Sequence, residues 1–189
     1  MNGVALPSFP DARGDWLRAS AELAARGIAL RPIVDDDIPF LRTLYAQTRA
    51  VELAPVPWPP EFKQTFLNEQ FDLQHRHFIS HFGHADFLLI ERQGNPNGRL
   101  YLLRGTNDFH IVDIALIEAT RGQGIGGGLI KHAQIKAGSL GLGMALHVDR
   151  RNAGARRLYE RVGFRAVDLN DDSASHLAMR WSDDQLKSA

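Results

Sequence analysis

The chain has 189 residues, no cysteine, and 22 Lys and Arg set against 22 Asp and Glu, for a formal net charge of zero. This length buries the core of one ordinary domain without a staple, and the absence of cysteine excludes disulfides, thiolate zinc sites and a cysteine-bound intermediate. Zero net charge removes the electrostatic case for nucleic acid or an anionic membrane; no apolar run approaches ~18 residues and no basic, then apolar, leader opens the chain, so a cytoplasmic protein is expected.

In chain order, Pro7 and Pro10 precede "WLRASAELAARG", which reads as a short helix ended by Gly27. Residues 1–27 are expected to be an extension to a domain over 28–182, with 183–189 as a tail. "IALRPI" alternates like a strand, and "DDDIPFLRTLYAQTR" follows as a helix, its Asp35–Asp37 run read as capping and solvated charge. "APVPWPP" sets four prolines around Trp58 and excludes regular structure; "PPEFKQTFLNEQFDLQHRHF" then places Phe62, Phe66 and Phe71 near helical spacing. His75, His77, His81 and His84 have no carboxylate or cysteine partner at a ligand spacing, so they are expected to cover a polar helix face and the loop after it, and no metal is expected.

"ADFLLIERQ" and "GRLYLLRG" have strand length and flank "GNPNG", a turn signal, which predicts a hairpin; "FHIVDIALI" is the next strand. In "TRGQGIGGGLIKHAQ" five glycines fall within seven residues, and Ile125, Leu129 and Ala133 then recur every four residues to a stop at Gly138. "MALHVD" is a strand, "NAGARRLYERVG" a helix with an Asn cap, and "FRAVDL" and "HLAMRW" are the last candidate strands. The order is strand, two helices, three strands, helix, strand, helix and two strands.

Bare backbone between a strand and a helix exposes the helix's first N–H groups and the positive end of its dipole, an arrangement suited to a pyrophosphate, with Arg121 adding a cation at its mouth. A plain strand-to-helix turn is the structural alternative. "GQGIGG" also satisfies G-x-G-x-x-G, with Asp149 as a ribose partner, which keeps a nicotinamide-dependent oxidoreductase open; a P-loop fails because no lysine followed by Ser or Thr closes the stretch. The second pattern present is R-x-x-G-x-G, from Arg121, Gly124 and Gly126.

With that pattern, "IALRPIVDDDIPFLRTLY", "VDIALIEATRGQGIGGGLI" and "LHVDRRNAGARRLYERVGFRAV", the sequence resembles the GNAT superfamily of acyl-CoA-dependent N-acyltransferases over roughly Ile28 to Trp181. The resemblance implies an α/β fold: a mixed, mostly antiparallel sheet of six to seven strands, flanked by helices and splayed at its centre for acyl-CoA. It implies acetyl-CoA as cosubstrate, bound by the loop Arg121, Gly122, Gln123, Gly124, Ile125 and Gly126, by the main chain of Ile114, Ala115 and Leu116, and by Asn152. Gly127 and Gly128 exceed the motif and are expected to loosen the first turn of the helix.

Acyl transfer from a thioester to an amine needs a base, because a lysine-like amine with pKa ~10.4 is protonated at neutral pH, and it needs donors for the charge that develops on oxygen and sulfur. Tyr159 lies seven residues after Asn152, on one face of the predicted helix and ~10 Å along its axis, and by resemblance is the acid near the sulfur. His147 projects opposite to Leu146 and Val148 and is the candidate base, where several protein-acetylating members carry glutamate; Glu118, Asp113 and His110 are its rivals. Glu52 and Trp58 fall where the resemblance puts the acceptor loops. A small-molecule or amino-acid-like amine is favoured over a protein terminus or lysine, and exposed aromatics would suit a homodimer. A non-catalytic acyl-CoA-binding regulator would keep the loop and spare Tyr159 and His147.

Overall fold

A computed structural model describes residues 5–167 and 175–182. The elements run α1 (Ala21–Ala25), β1 (Ile28–Pro32), a short 3-10 turn (Asp35–Asp37), α2 (Ile38–Leu53), α3 (Pro60–Phe82), β2 (Asp86–Arg92), β3 (Asn95–Arg104) and β4 (Asp108–Leu116). A second 3-10 turn (Glu118–Thr120) leads to α4 (Ile125–Gly138), β5 (Gly143–Asp149), α5 (Ala153–Arg161), β6 (Arg165–Ala166) and β7 (His176–Trp181). One seven-stranded sheet has the order β1-β2-β3-β4-β5-β7-β6, and only β4 and β5 pair in parallel. This is the expected mixed, mostly antiparallel sheet. The several parallel strand–helix units of a dinucleotide fold are not built among the described residues, so the G-x-G-x-x-G reading loses its context. No helix among them is long and apolar enough to cross a membrane.

Two cores sandwich the sheet. On one face, Leu88, Ile90, Leu100, Leu102, Ile111 and Leu146 pack with α1, α4 and α5; on the other, Phe87, Leu89 and Tyr101 pack with Leu41 and Tyr45 of α2 and Phe71 of α3. Successive residues of β2 therefore enter opposite cores, which is why its sequence is a continuous apolar run rather than an alternation.

Four local expectations change. The hairpin turns at Gln93 and Gly94, φ 52° and 76°, the two positive angles of a two-residue turn, and Asn95 to Gly98 already belong to β3. The N-terminal helix shortens to Ala21–Ala25 because the Ser20 side chain takes the cap, accepting from the Leu23 N–H. The "FRAVDL" strand is described only as Arg165–Ala166, and Asp168 and Leu169 lie outside the described residues. His75 is no surface histidine: it is buried, stacks on Phe71, meets Phe9 edge-on, and its Nε2 donates to the Pro7 carbonyl at 2.7 Å.

The Asp35–Asp37 run is also more than solvated charge. The buried Asp37 carboxylate receives both terminal nitrogens of Arg31, at 2.7 and 2.8 Å, and the Val34 N–H at 2.9 Å. Burial by itself raises this carboxyl, but the Arg31 and Val34 hydrogen bonds outweigh it and leave the pKa below its usual value. A depressed folded pKa gives stability that is present above the unfolded value of ~3.9 and fades as pH falls through the folded one. Asp37→Ala is expected to cost about 1–2 kcal/mol in urea unfolding at pH 7, with the deficit against wild type shrinking below pH ~4. A deficit independent of pH would refute the charge-based account.

Candidate active site

The sheet parts at its centre. The last pair between β4 and β5 is Ile111 with Leu146, whereas β5 stays paired to β7 as far as Asp149 with His176. The cause lies in β4: Tyr101 pairs with Asp113 and Leu102 with Ile111, so Val112 is the extra residue of a bulge, and a bulge bends and twists its strand. Beyond it, the half-buried residues Ile114, Ala115 and Leu116 keep β3 on one side. On the other side no described strand completes their hydrogen bonding, so this edge can accept an extended chain as an added strand.

At the end of that edge lies the glycine loop. Buried Thr120 accepts from Asn97 at 3.0 Å, which pins the Glu118–Thr120 turn to β3. The Arg121 Nε donates to the Leu116 carbonyl at 3.0 Å and the residue stays exposed. Gly122 and Gly124 take φ of 76° and 77°, with Gly124 capping α4. The first intrahelical bond runs from Gly128 N to Gly124 O, so the N–H groups of Ile125, Gly126 and Gly127 have no intrahelical acceptor. A helix start with free donors and its dipole's positive end fits a pyrophosphate. The exposed Gln123 side chain is held at both ends, its Nε2 donating to Ala119 O at 2.9 Å and its Oε1 accepting from Arg92 at 2.7 Å.

Gly127 and Gly128 do not interrupt the first turn. The helix is continuous from Ile125, because neighbours fill the space the side chains leave: a Cβ on Gly127 would lie 3.4 Å from Leu158, and one on Gly128 only 3.0 Å from Leu23 of α1.

On α5, Asn152 serves as N-cap, its Oδ1 accepting from the Ala155 N–H at 3.0 Å, which leaves its amide hydrogens for a ligand. Tyr159 is 8% exposed and edge-on to Phe164 at 6.0 Å. Its pKa is pushed up by burial first and then by the Asp113 carboxylate, which places that carboxylate within electrostatic reach of the hydroxyl.

His147 is exposed, one residue past the last β4–β5 pair, on the opposite face from Leu146 and Val148. Its ring lies 5.4 Å from that of His110, which is stacked on Phe82 at 6.4 Å. The pKa of His110 is lowered by burial and then by the neighbouring His147. The Asp113 carboxylate is occupied by Arg99, whose Nε donates at 2.7 Å. Arg99 is itself buried, bonds Gln74 at 2.8 Å and lies over the Tyr101 ring at 5.1 Å, and burial raises the Tyr101 hydroxyl to about 12. Glu118 sits exposed in its short turn, its N–H donating to Gln47 at 3.2 Å. Of the four candidate bases, His147 combines exposure with a place at the apex of the opening.

Glu52 ends α2 in a 3.2 Å pair with Arg49. The pKa of Arg151, just beyond β5, is raised by its hydrogen bond and charge pairing with Asp149 and, further off, by Glu52, so α2 ends close to the mouth of the opening. Trp58 is 44% exposed and held edge-on by Phe66 at 5.3 Å. No cluster of three or more His, Asp or Glu among the described residues could hold a metal ion.

A bulged β4 parted from a parallel β5, above a helix that starts on glycines, defines the acetyltransferase class of fold. The chain belongs to the acetyltransferase (GNAT) family, whose model matches residues 46–164. It is an N-acetyltransferase that uses acetyl-CoA. Among solved structures it is similar to PaiA N-acetyltransferase from Thermoplasma acidophilum in complex with coenzyme A, at 18% identity over 82% of this chain and 98% of that one, TM-score 0.61. It also resembles RimL, the ribosomal L7/L12 alpha-N-protein acetyltransferase, at 17% identity over 92% and 98%, TM-score 0.58. A third is a chimera of the spermidine N-acetyltransferase SpeG from Vibrio cholerae and hSSAT, at 19% identity over 86% and 99%, TM-score 0.57. No curated protein matches the chain significantly.

Proposed function

We propose that the protein transfers acetyl from acetyl-CoA directly to the primary amine of a small or amino-acid-like acceptor. The observation that supports this reading is the parting of β4 from β5 at Ile111 and Leu146, with the N–H groups of Ile125–Gly127 free of intrahelical acceptors, His147 one residue past the last β4–β5 pair, and Tyr159 within electrostatic reach of Asp113 next to the bulge. Acetyl-CoA supplies the activated acyl group and a thiolate leaving group.

The loop N–H groups and Arg121 hold the pyrophosphate, and Asn152 donates its amide to the pantetheine arm. The free edge of β4 binds that arm and turns an N–H of Ile114–Leu116 toward the thioester carbonyl, where negative charge develops as the amine attacks. His147 takes the proton the amine must lose. Tyr159 donates a hydrogen bond to the departing sulfur. A thiol titrates near ~8.5, well below a tyrosine pushed above its ordinary ~10, so Tyr159 stabilises the thiolate as a donor rather than handing over its proton. Without cysteine, a direct route through a ternary complex is favoured over an acyl-enzyme. Glu52 receives the cationic end of the acceptor and Trp58 its apolar body. The charge-neutral composition favours a small amine over a basic protein tail.

Incubating the protein with acetyl-CoA and a panel of primary amines should release free thiol and yield an N-acetylated product by mass spectrometry. Double-reciprocal plots at several acceptor concentrations should intersect. Parallel lines would contradict direct transfer; binding of acetyl-CoA without thiol release from any amine would favour a regulator.

A further inference from the structure

The segment ahead of β1 reaches the glycine loop. Leu23 of α1 is buried with its Cδ2 3.0 Å from where a Cβ on Gly128 would stand, so the absent side chain is the notch that admits it. Arg26, at the C-terminal cap of α1, donates from Nη2 to the Gln123 carbonyl at 2.6 Å. Two more contacts brace the same residue: Arg92 Nη1 donates to Gln123 Oε1 at 2.7 Å, and Gln123 Nε2 donates to Ala119 O. Gly27 O accepts from Gln93 N at 2.7 Å, which ties the exit of α1 to the β2–β3 turn.

Gln123 stands between the two left-handed glycines of the loop, Gly122 and Gly124, the residues whose backbones are freest to rotate. In a trans peptide the carbonyl of one residue and the N–H of the next point in opposite directions, so fixing the Gln123 carbonyl fixes the Gly124 N–H. That N–H opens the series of donors that continues through Gly127. We infer that Arg26 is a positioning residue for acyl-CoA: from the N-terminal segment it locks the Gln123–Gly124 peptide, so that the loop's donors are set before the ligand arrives. This rests on the proposal that the loop takes the pyrophosphate.

The test is calorimetric titration of CoA and of 3′-dephospho-CoA, both of which carry the pyrophosphate, into wild type, Arg26→Met, Arg26→Lys and Gly124→Ala. Arg26→Met should raise Kd for both ligands about tenfold, through loss of preorganisation. Because Arg26 is exposed, its melting temperature without ligand should stay at the wild-type value, and Arg26→Lys should recover part of the affinity. An unchanged Kd in Arg26→Met overturns the inference. A loss seen with CoA but not with 3′-dephospho-CoA also overturns it, since Arg26 would then be touching the 3′-phosphate directly. Wild-type affinity in Gly124→Ala, where a side chain must adopt φ near 77°, would instead bring down the reading of the loop itself.

Discussion

Replacing Tyr159 by phenylalanine is expected to lower kcat about a hundredfold while the KM for acetyl-CoA changes less than threefold. The hydroxyl is the only part removed, and the ring keeps its edge-on contact with Phe164 in a nearly closed pocket, so the variant should melt within a few degrees of wild type. The loss falls on kcat because the hydrogen bond to sulfur strengthens only as negative charge accumulates there, in the transition state rather than the ground state. Steady-state kinetics with the best acceptor of the amine panel, alongside thermal melts, check this. A variant with wild-type kcat would remove Tyr159 from the chemistry and leave it a buried core tyrosine.

The largest effect on stability is expected at Asp113. Arg99 is 4% exposed on its side chain and its charge is answered by Asp113 at 2.7 Å. Asp113→Ala leaves that guanidinium buried without its carboxylate, and should cost about 3 kcal/mol in urea unfolding. Pairing it with Arg99→Met should recover more than half of the loss, since an apolar pair of similar bulk removes the uncompensated charge. A double variant as unstable as the single one would show that the carboxylate supports the bulge by some route other than charge. Because Asp113 also lies within electrostatic reach of Tyr159, the two experiments are coupled: a change at Asp113 alters the field around the hydroxyl as well as the fold.

What the sequence made legible was whatever is written locally. The strands followed from runs such as "DFLLI", whose residues alternate between two cores, the mixed sheet was implied by the family resemblance, and the loop followed from glycines at fixed offsets from Arg121. Asn152 and Tyr159 fell on one helix face through simple spacing. The unread features of the site are made by residues paired across strands. Nothing near Val112 marks it as the bulge that opens the sheet, because a bulge is a mismatch of register between β3 and β4. Arg99 was one polar residue in an apolar strand, and only cross-strand pairing shows that it holds Asp113 and Gln74.

Gly128 carries the same lesson in reverse. Taken with its neighbours alone it weakens a helix; beside Leu23, more than a hundred positions earlier, it is a packing notch. The hairpin shows how a strong local signal misleads. "GNPNG" has ideal turn composition, yet the strands need a two-residue connection with both angles positive, and Gln93–Gly94 supplies it while both asparagines and the proline continue into β3.

Acetyl-CoA is proposed to lie in the gap between β4 and β5 with its reactive end between His147 and Tyr159. A crystal structure of the protein with CoA tests it most directly. Pyrophosphate oxygens are expected on the N–H groups of Ile125–Gly127, the pantetheine arm paired with the free edge of Ile114–Leu116, and the sulfur within about 3.5 Å of the Tyr159 hydroxyl. A pyrophosphate seated away from the glycine loop, or a sulfur directed away from Tyr159 and His147, would contradict it.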